Sequence, residues 1–76
     1  MAKVTISFYD DETLIASGIQ SVEYEQHENG SIDVILEPWN DEILFDNPGL
    51  ARDRNTNQNA PECATFEGVS SISICS

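Results

Sequence analysis

The sequence predicts a mainly β fold: a small antiparallel sheet or partly open barrel of four to five strands with one short helix, with an α+β fold as the alternative. Apolar and polar residues alternate near the N-terminus, between residues 19 and 37, and again near the C-terminus, a pattern typical of half-buried strands. Glu28-Asn29-Gly30 interrupts the central pattern with a turn signal. At 76 residues, one acidic β-rich domain over residues 1–76 is expected, burying only about 60% of the surface that the unfolded chain exposes.

The first strand is expected from Lys3 to Tyr9, a run rich in β-branched residues in which every second residue is apolar. The acidic segment from Asp10 to Thr13 then connects it to a short second strand, Leu14 to Ser17. Gly18 comes next, and a glycine inside a strand pattern indicates a bulge or a bend.

The hairpin between Ile19 and Glu37 has a register that depends on its turn. A two-residue Asn-Gly turn would mix charged and apolar residues on one face. A three-residue loop, with Gly30 as the left-handed residue of a type I turn with a G1 bulge, leaves one face consistently apolar. It pairs Val22, Tyr24 and Gln26 with Leu36, Val34 and Ile32, and Glu23, Glu25 and His27 with Ile35, Asp33 and Ser31. Glu25 then lies opposite Asp33, a like-charge pair that costs roughly 0.2 to 1 kcal/mol.

Beyond the hairpin, Pro38 ends the strand because proline has no backbone donor. Asn40 is a suitable helix N-cap, Asp41 and Glu42 suit a first helical turn, and the helix is expected to stop at Asn47-Pro48-Gly49. An apolar plug over one end of the sheet is expected from Trp39, Ile43, Leu44 and Phe45.

From Asp46 to Cys63 the chain shows no apolar periodicity, which predicts a long polar loop. Loops longer than about 12 to 15 residues are usually functional or disordered. This one holds Arg52 and Arg54, which either make the charge distribution dipolar or pair with acidic residues of the protein or of a partner. The last strand is expected from Phe66 to Cys75, and its serine content is typical of a sheet edge.

The charge balance restricts the class of partner. Three basic and 14 acidic residues give a formal net charge of −11, which disfavours nucleic acid and anionic membranes as direct ligands. Basic surfaces on other proteins are the expected partners. The N-terminus has no apolar stretch of signal-peptide length, which predicts a cytoplasmic protein. Cys63 and Cys75 are then expected as free thiols that pack as small hydrophobic residues, with a disulfide as the alternative.

Enzymatic and metal-binding patterns are weak. Residues 53–59 have the alternating oxygen ligands of a calcium loop, but Gln58 and Ala64 occupy the positions where an EF-hand needs glycine and glutamate. His27 and the two cysteines lack the paired spacing of a zinc site, and no phosphate-binding glycine pattern or activated nucleophile is present. The sequence therefore predicts a non-enzymatic protein without a cofactor or metal.

Acidic residues are the remaining functional candidates. Acids that alternate along two paired strands could place one charge per ~3.3 Å, close to the ~3.4 Å per charge of one DNA strand. A cationic groove built for phosphates would accept such a surface, whereas the competing interpretation is that these charges only keep the protein soluble. The candidate partner-binding residues are Asp10, Asp11, Glu12, Glu23, Glu25, Glu28, Asp33, Glu37, Asp41, Glu42 and Asp46.

In size, acidity, single-domain form and lack of a catalytic motif, the chain resembles the small phage and mobile-element inhibitors of host defence, anti-CRISPR and anti-restriction proteins. This resemblance implies a nucleic-acid mimic that docks on a CRISPR effector or a restriction enzyme. The alternative is a structural or accessory module, of the kind found in virions and adhesins, that binds through the Asn-rich loop and an exposed strand edge. The sequence leaves the oligomeric state open.

Overall fold

Antiparallel strands dominate the computed structural model, which describes residues 2–40, 42–57 and 63–75. The mainly β prediction is confirmed: the described residues form five strands in one antiparallel sheet, with one short helix. In chain order, the elements are β1 (Ala2–Phe8), β2 (Thr13–Gln26), β3 (Ile32–Pro38), β4 (Leu44–Phe45), α1 (Pro48–Arg54) and β5 (Ala64–Cys75).

Two long strands organise the sheet because each changes partner halfway along. β2 pairs with β1 over residues 13–19 and with β3 over residues 19–26. β5 pairs with β3 over residues 64–69 and with β1 over residues 69–75. Each strand has a glycine in the left-handed region at or next to the change, Gly18 (φ 73) and Gly68 (φ 69), and the ladders shift register nearby. The bend predicted at Gly18 is confirmed, but it lies within one strand instead of separating two.

The hairpin register is confirmed in full. Val22 pairs with Leu36, Glu25 with Asp33, and the intervening positions follow. The His27 amide donates to the Ser31 carbonyl at 2.8 Å and the Gly30 amide to the His27 carbonyl at 3.0 Å. Gly30 has φ 91, as the three-residue loop with a G1 bulge requires.

The core lies between the two halves of the bent sheet. Its fully buried members come from all of the long strands, and the short helix adds one alanine. Edge-to-face contacts of Phe66 with Phe8 and Phe45, at centroid distances of 6.2 and 6.0 Å, tie the strands together. The buried residues are Val4, Ile6, Phe8, Leu14, Ala16, Ile19, Val34, Leu36, Ala51, Ala64, Phe66 and Val69.

The helix was predicted in the wrong place. Leu44 and Phe45 form a short strand opposite Ser17 and Ala16 of β2, and no helix forms in the described residues around Asn40. The helix instead begins at Pro48, with the Asn47 side chain accepting a hydrogen bond from the Leu50 amide at 3.2 Å. Proline suits the first helical turn because its missing donor would be unpaired there anyway, so Asn47-Pro48 starts a helix where it was expected to stop one.

The predicted apolar plug is only half correct. Ile43 and Phe45 are partly buried and pack against the core. Trp39 and Leu44 remain 57% and 59% exposed. Leu44 is exposed because its pairing with Ser17 places it on the side of the strand that points away from the core.

The long loop predicted from Asp46 to Cys63 is also wrong in its first half. Residues 48–54 are helical, and Asn55 forms a bridge with Phe66 while its side chain accepts from the Thr65 amide at 3.1 Å. The end of the Asn-rich segment, residues 58–62, lies outside the described residues. β5 begins at Ala64, two residues before the predicted start.

Candidate acidic interface

Carboxylates from three strands share one outward surface, which we call the acidic face: Glu23 and Glu25 of β2, Asp33 and Glu37 of β3, and Glu67 of β5. Side chains alternate sides along a strand and cross-strand partners share a side. The pairing of Glu23 with Ile35, and of Ile35 with Thr65, therefore places this surface opposite the core. All five acids are exposed except the half-buried Asp33.

The acidic face has no lysine or arginine of its own, because β2, β3 and β5 contain none. A depression of about 220 Å³ lies among its residues. The residues lining the depression are Glu23, Tyr24, Glu25, Asp33, Ile35 and Thr65. A surface of this kind can accept a guanidinium or ammonium group while its aliphatic stem covers Ile35.

His27 changes the charge balance at the hairpin end of the acidic face. Its Nε2 lies 2.7 Å from the Asp33 carboxylate, so the carboxylate that faces Glu25 also has a cationic neighbour when the imidazole is protonated. The hydrogen bond to Asp33, with the negative charges of Asp33, Glu25 and Glu67, raises the pKa of His27. The histidine that sequence reasoning considered only as a zinc ligand is thus part of the site.

Asp10 and Glu12 are bound within the molecule by Arg54. The guanidinium hydrogen-bonds to Asp10, lies 3.6 Å from Glu12, and stacks 4.6 Å from the centroid of the Phe8 ring. The hydrogen bond from Arg54 holds the pKa of Asp10 below its usual range. The predicted option that an arginine pairs with acidic residues of the same protein is therefore realised at Arg54. A partner would have to compete with Arg54 for these two carboxylates.

The other candidate acids are dispersed. The Asp46 carboxylate accepts from the Ile15 amide at 2.9 Å, which gives it a structural role where β4 meets β2. Asp11 lies in the turn after β1 with φ 68, Glu28 at the hairpin tip, and Glu42 in the exposed connection before β4. Asp41 lies outside the described residues.

Sequence reasoning missed two residues of the site: Glu67 of the acidic face and His27, which contacts Asp33 of that face. In the register predicted from the turn, His27 and Asp33 are diagonal neighbours on the same side of the hairpin. Their contact could therefore have been predicted from the sequence. The position of Glu67 depends on β5 lying beside β3, and no local sequence signal specifies that pairing.

Other chemistry is sparse. The described residues contain no group of three or more histidine, cysteine or acidic side chains that could hold a metal ion. Cys63 is half-buried and Cys75 exposed, and both are free thiols, so the disulfide alternative is not realised. In the described part of the chain, no helix is long and apolar enough to span a bilayer.

The chain was also compared with known proteins. Scans of protein-family models, curated proteins and solved structures found no match to the chain.

Proposed function

We propose that this chain is a non-enzymatic inhibitor that acts in the cytoplasm and uses its acidic face to occupy a basic, nucleic-acid-binding surface of another protein. The observation that carries the proposal is the gathering of Glu23, Glu25, Asp33, Glu37 and Glu67 on one side of three strands that contain no basic residue. A CRISPR effector or a restriction enzyme is the leading class of target, on the resemblance in size and acidity to anti-defence inhibitors.

The spacing of these acids supports a phosphate-like surface. Same-side residues along a strand are ~6.6 Å apart, so acids that alternate between two paired strands project about one charge per ~3.3 Å along the strand axis. This is close to the ~3.4 Å of axis per phosphate in one nucleic-acid strand. A groove of lysine and arginine side chains that binds phosphates can bind carboxylates through charge-assisted hydrogen bonds.

The charge pattern is also one that folding alone does not favour. Glu25 lies directly opposite Asp33, and like charges in this position oppose strand pairing. His27 offsets part of this repulsion only in its protonated form. A lysine or arginine of a partner would offset it at every pH at which the two acids are charged, which gives the arrangement a binding role.

The test is competition for nucleic acid. A labelled duplex bound to a candidate CRISPR effector or restriction enzyme is titrated with the protein, and displacement is followed by fluorescence anisotropy. We expect the E23Q/E25Q/D33N variant to lose about tenfold or more in inhibition, since each charged hydrogen bond contributes about 1.5 to 3 kcal/mol. Raising salt from about 50 to about 300 mM should weaken the wild type steeply.

A matched variant, D11N/E42Q/D53N, removes the same charge from exposed positions in the turn after β1, in the connection before β4 and in α1. It should retain inhibition within about threefold. Equal losses in the two variants would mean that net charge and not the acidic face is recognised. Binding that survives both the variants and high salt would favour the accessory module that binds through a strand edge.

A further inference from the structure

The second half of β2 is an open sheet edge. Beyond Ile19, β2 pairs with β3 on one side, and no strand among residues 2–40, 42–57 and 63–75 pairs with its other side over residues 22–26. β1 ends its ladder with β2 at Ile19, and β4 pairs only with Ala16 and Ser17 of β2. An open edge presents backbone donors and acceptors to a further strand.

The hairpin geometry identifies which backbone groups face outward. The His27 amide donates to Ser31, so His27 forms a hydrogen-bonded pair across the hairpin, and pairs of this type alternate along an antiparallel ladder. Glu25 and Glu23 therefore use their backbone groups toward β3. The amides and carbonyls of Val22, Tyr24 and Gln26 point to the open edge.

The acidic side chains along this edge favour a positively charged incoming strand. Glu23 and Glu25 project on the acidic face, while Tyr24, which is 62% exposed, pairs with the buried Val34 and therefore lies on the opposite side of the sheet. A second copy of this chain is a poor occupant because its net charge is also −11 and its own edge would bring like charges into register. An extended segment with lysine or arginine at every second position is complementary to the acidic face and to the free backbone groups at once.

We propose that an extended, Lys/Arg-bearing segment of the partner adds to the edge of β2 as a further antiparallel strand, with its basic side chains over Glu23 and Glu25 and its intervening residues beside Tyr24. The inference rests on the proposed function and names the element of the partner that the acidic face would bind. Main-chain hydrogen bonds would supply affinity and the alternating side chains specificity, as in other cases of strand addition.

The test uses a synthetic, end-capped seven-residue peptide that alternates arginine with valine and threonine. Amide hydrogen exchange of the protein is followed by NMR with and without the peptide at low salt. Exchange at Val22, Tyr24 and Gln26 should slow by about fivefold or more. Exchange at Glu23 and Glu25, whose amides are already bonded to β3, should change little.

A second peptide with the same charges but N-methyl groups on the edge that faces β2 is the matched control. It should bind about tenfold more weakly, because it cannot donate to the β2 carbonyls. Equal binding of the two peptides, or binding without slower exchange at the three edge amides, would overturn strand addition while leaving an electrostatic acidic face intact. Failure of both peptides to bind would overturn the inference outright, and the nucleic-acid competition assay would then decide the proposed function separately.

Discussion

The contact between His27 and Asp33 makes the cost of the Glu25–Asp33 pair depend on pH. We expect E25Q to raise the melting temperature at pH 8 by about 1 to 8 °C, since a cross-strand like-charge pair costs roughly 0.2 to 1 kcal/mol. The gain should shrink near pH 5.5, where Glu25 instead attracts protonated His27. Thermal unfolding by circular dichroism measures both values.

The matched variant for E25Q is E37Q, which removes an exposed acid of the same face that lies opposite the uncharged Ser21. E37Q relieves only the repulsion due to the overall negative charge, so it should change the melting temperature at pH 8 less than E25Q does. A fall in melting temperature for E25Q at pH 8 would contradict the cross-strand repulsion.

His27 itself should stabilise the fold in acid. Its pKa is raised in the folded state by Asp33, so its contribution is fully present below the unfolded pKa of about 6.5 and is lost as pH rises through the higher folded value. We expect H27Q to lower the melting temperature more at pH 5.5 than at pH 8.5. A difference that is independent of pH would mean that the contact with Asp33 does not couple to protonation.

At the scale of elements, the bend of β5 depends on Gly68. Its φ of 69 lies in the left-handed region, which costs conformational free energy for residues with a side chain. An added Cβ would meet no atom within 4 Å, so no steric clash is expected. We therefore expect G68A to destabilise the protein by about 1 to 2 kcal/mol through the backbone alone. Urea unfolding measures the difference in the free energy of unfolding.

Gly49 of α1 is the matched control for Gly68, because it is helical and its added Cβ would make only ordinary contact, 3.7 Å from the Asn47 side chain. G49A should be neutral or stabilise by up to about 1 kcal/mol. Equal effects at the two glycines would refute the role given to the left-handed backbone at Gly68.

The position of the helix can be tested through its cap. N47A should cost about 1 kcal/mol because it removes the acceptor for the Leu50 amide. N40A, at the cap expected from sequence, should stay within about 0.5 kcal/mol of wild type because Asn40 is exposed and precedes no helix. Urea unfolding of both variants gives the comparison, and a larger loss for N40A would favour the sequence-based placement.

For the whole molecule, the net charge of −11 opposes compaction, since few of the acids have a cationic neighbour among the described ion pairs. Salt screens such self-repulsion over a Debye length of about 10 Å at about 0.1 M. The melting temperature should therefore rise between about 20 and about 300 mM sodium chloride at pH 8. A fall would mean that the ion pairs of Arg54 outweigh the repulsion.

The sequence by itself determined what is local in this protein: the mainly β class, the hairpin, and the pairing of Glu25 with Asp33. These follow because only the three-residue loop at Gly30 leaves one face of the hairpin apolar, and its register assigns every side chain to a face. The helix was misplaced because Asn40 and Asn47 both begin segments with helix-start signals, and local chemistry does not rank them.

Tertiary structure decided the remainder. Leu44 and Phe45 became a strand because β2 offers backbone partners at Ala16 and Ser17. Glu67 joined the acidic face because β5 pairs with β3, and Arg54 reached Asp10 across 44 residues of chain. Each of these contacts joins segments distant in sequence, so its free energy exists only after the sheet has brought them together, and no pattern within either segment specifies it.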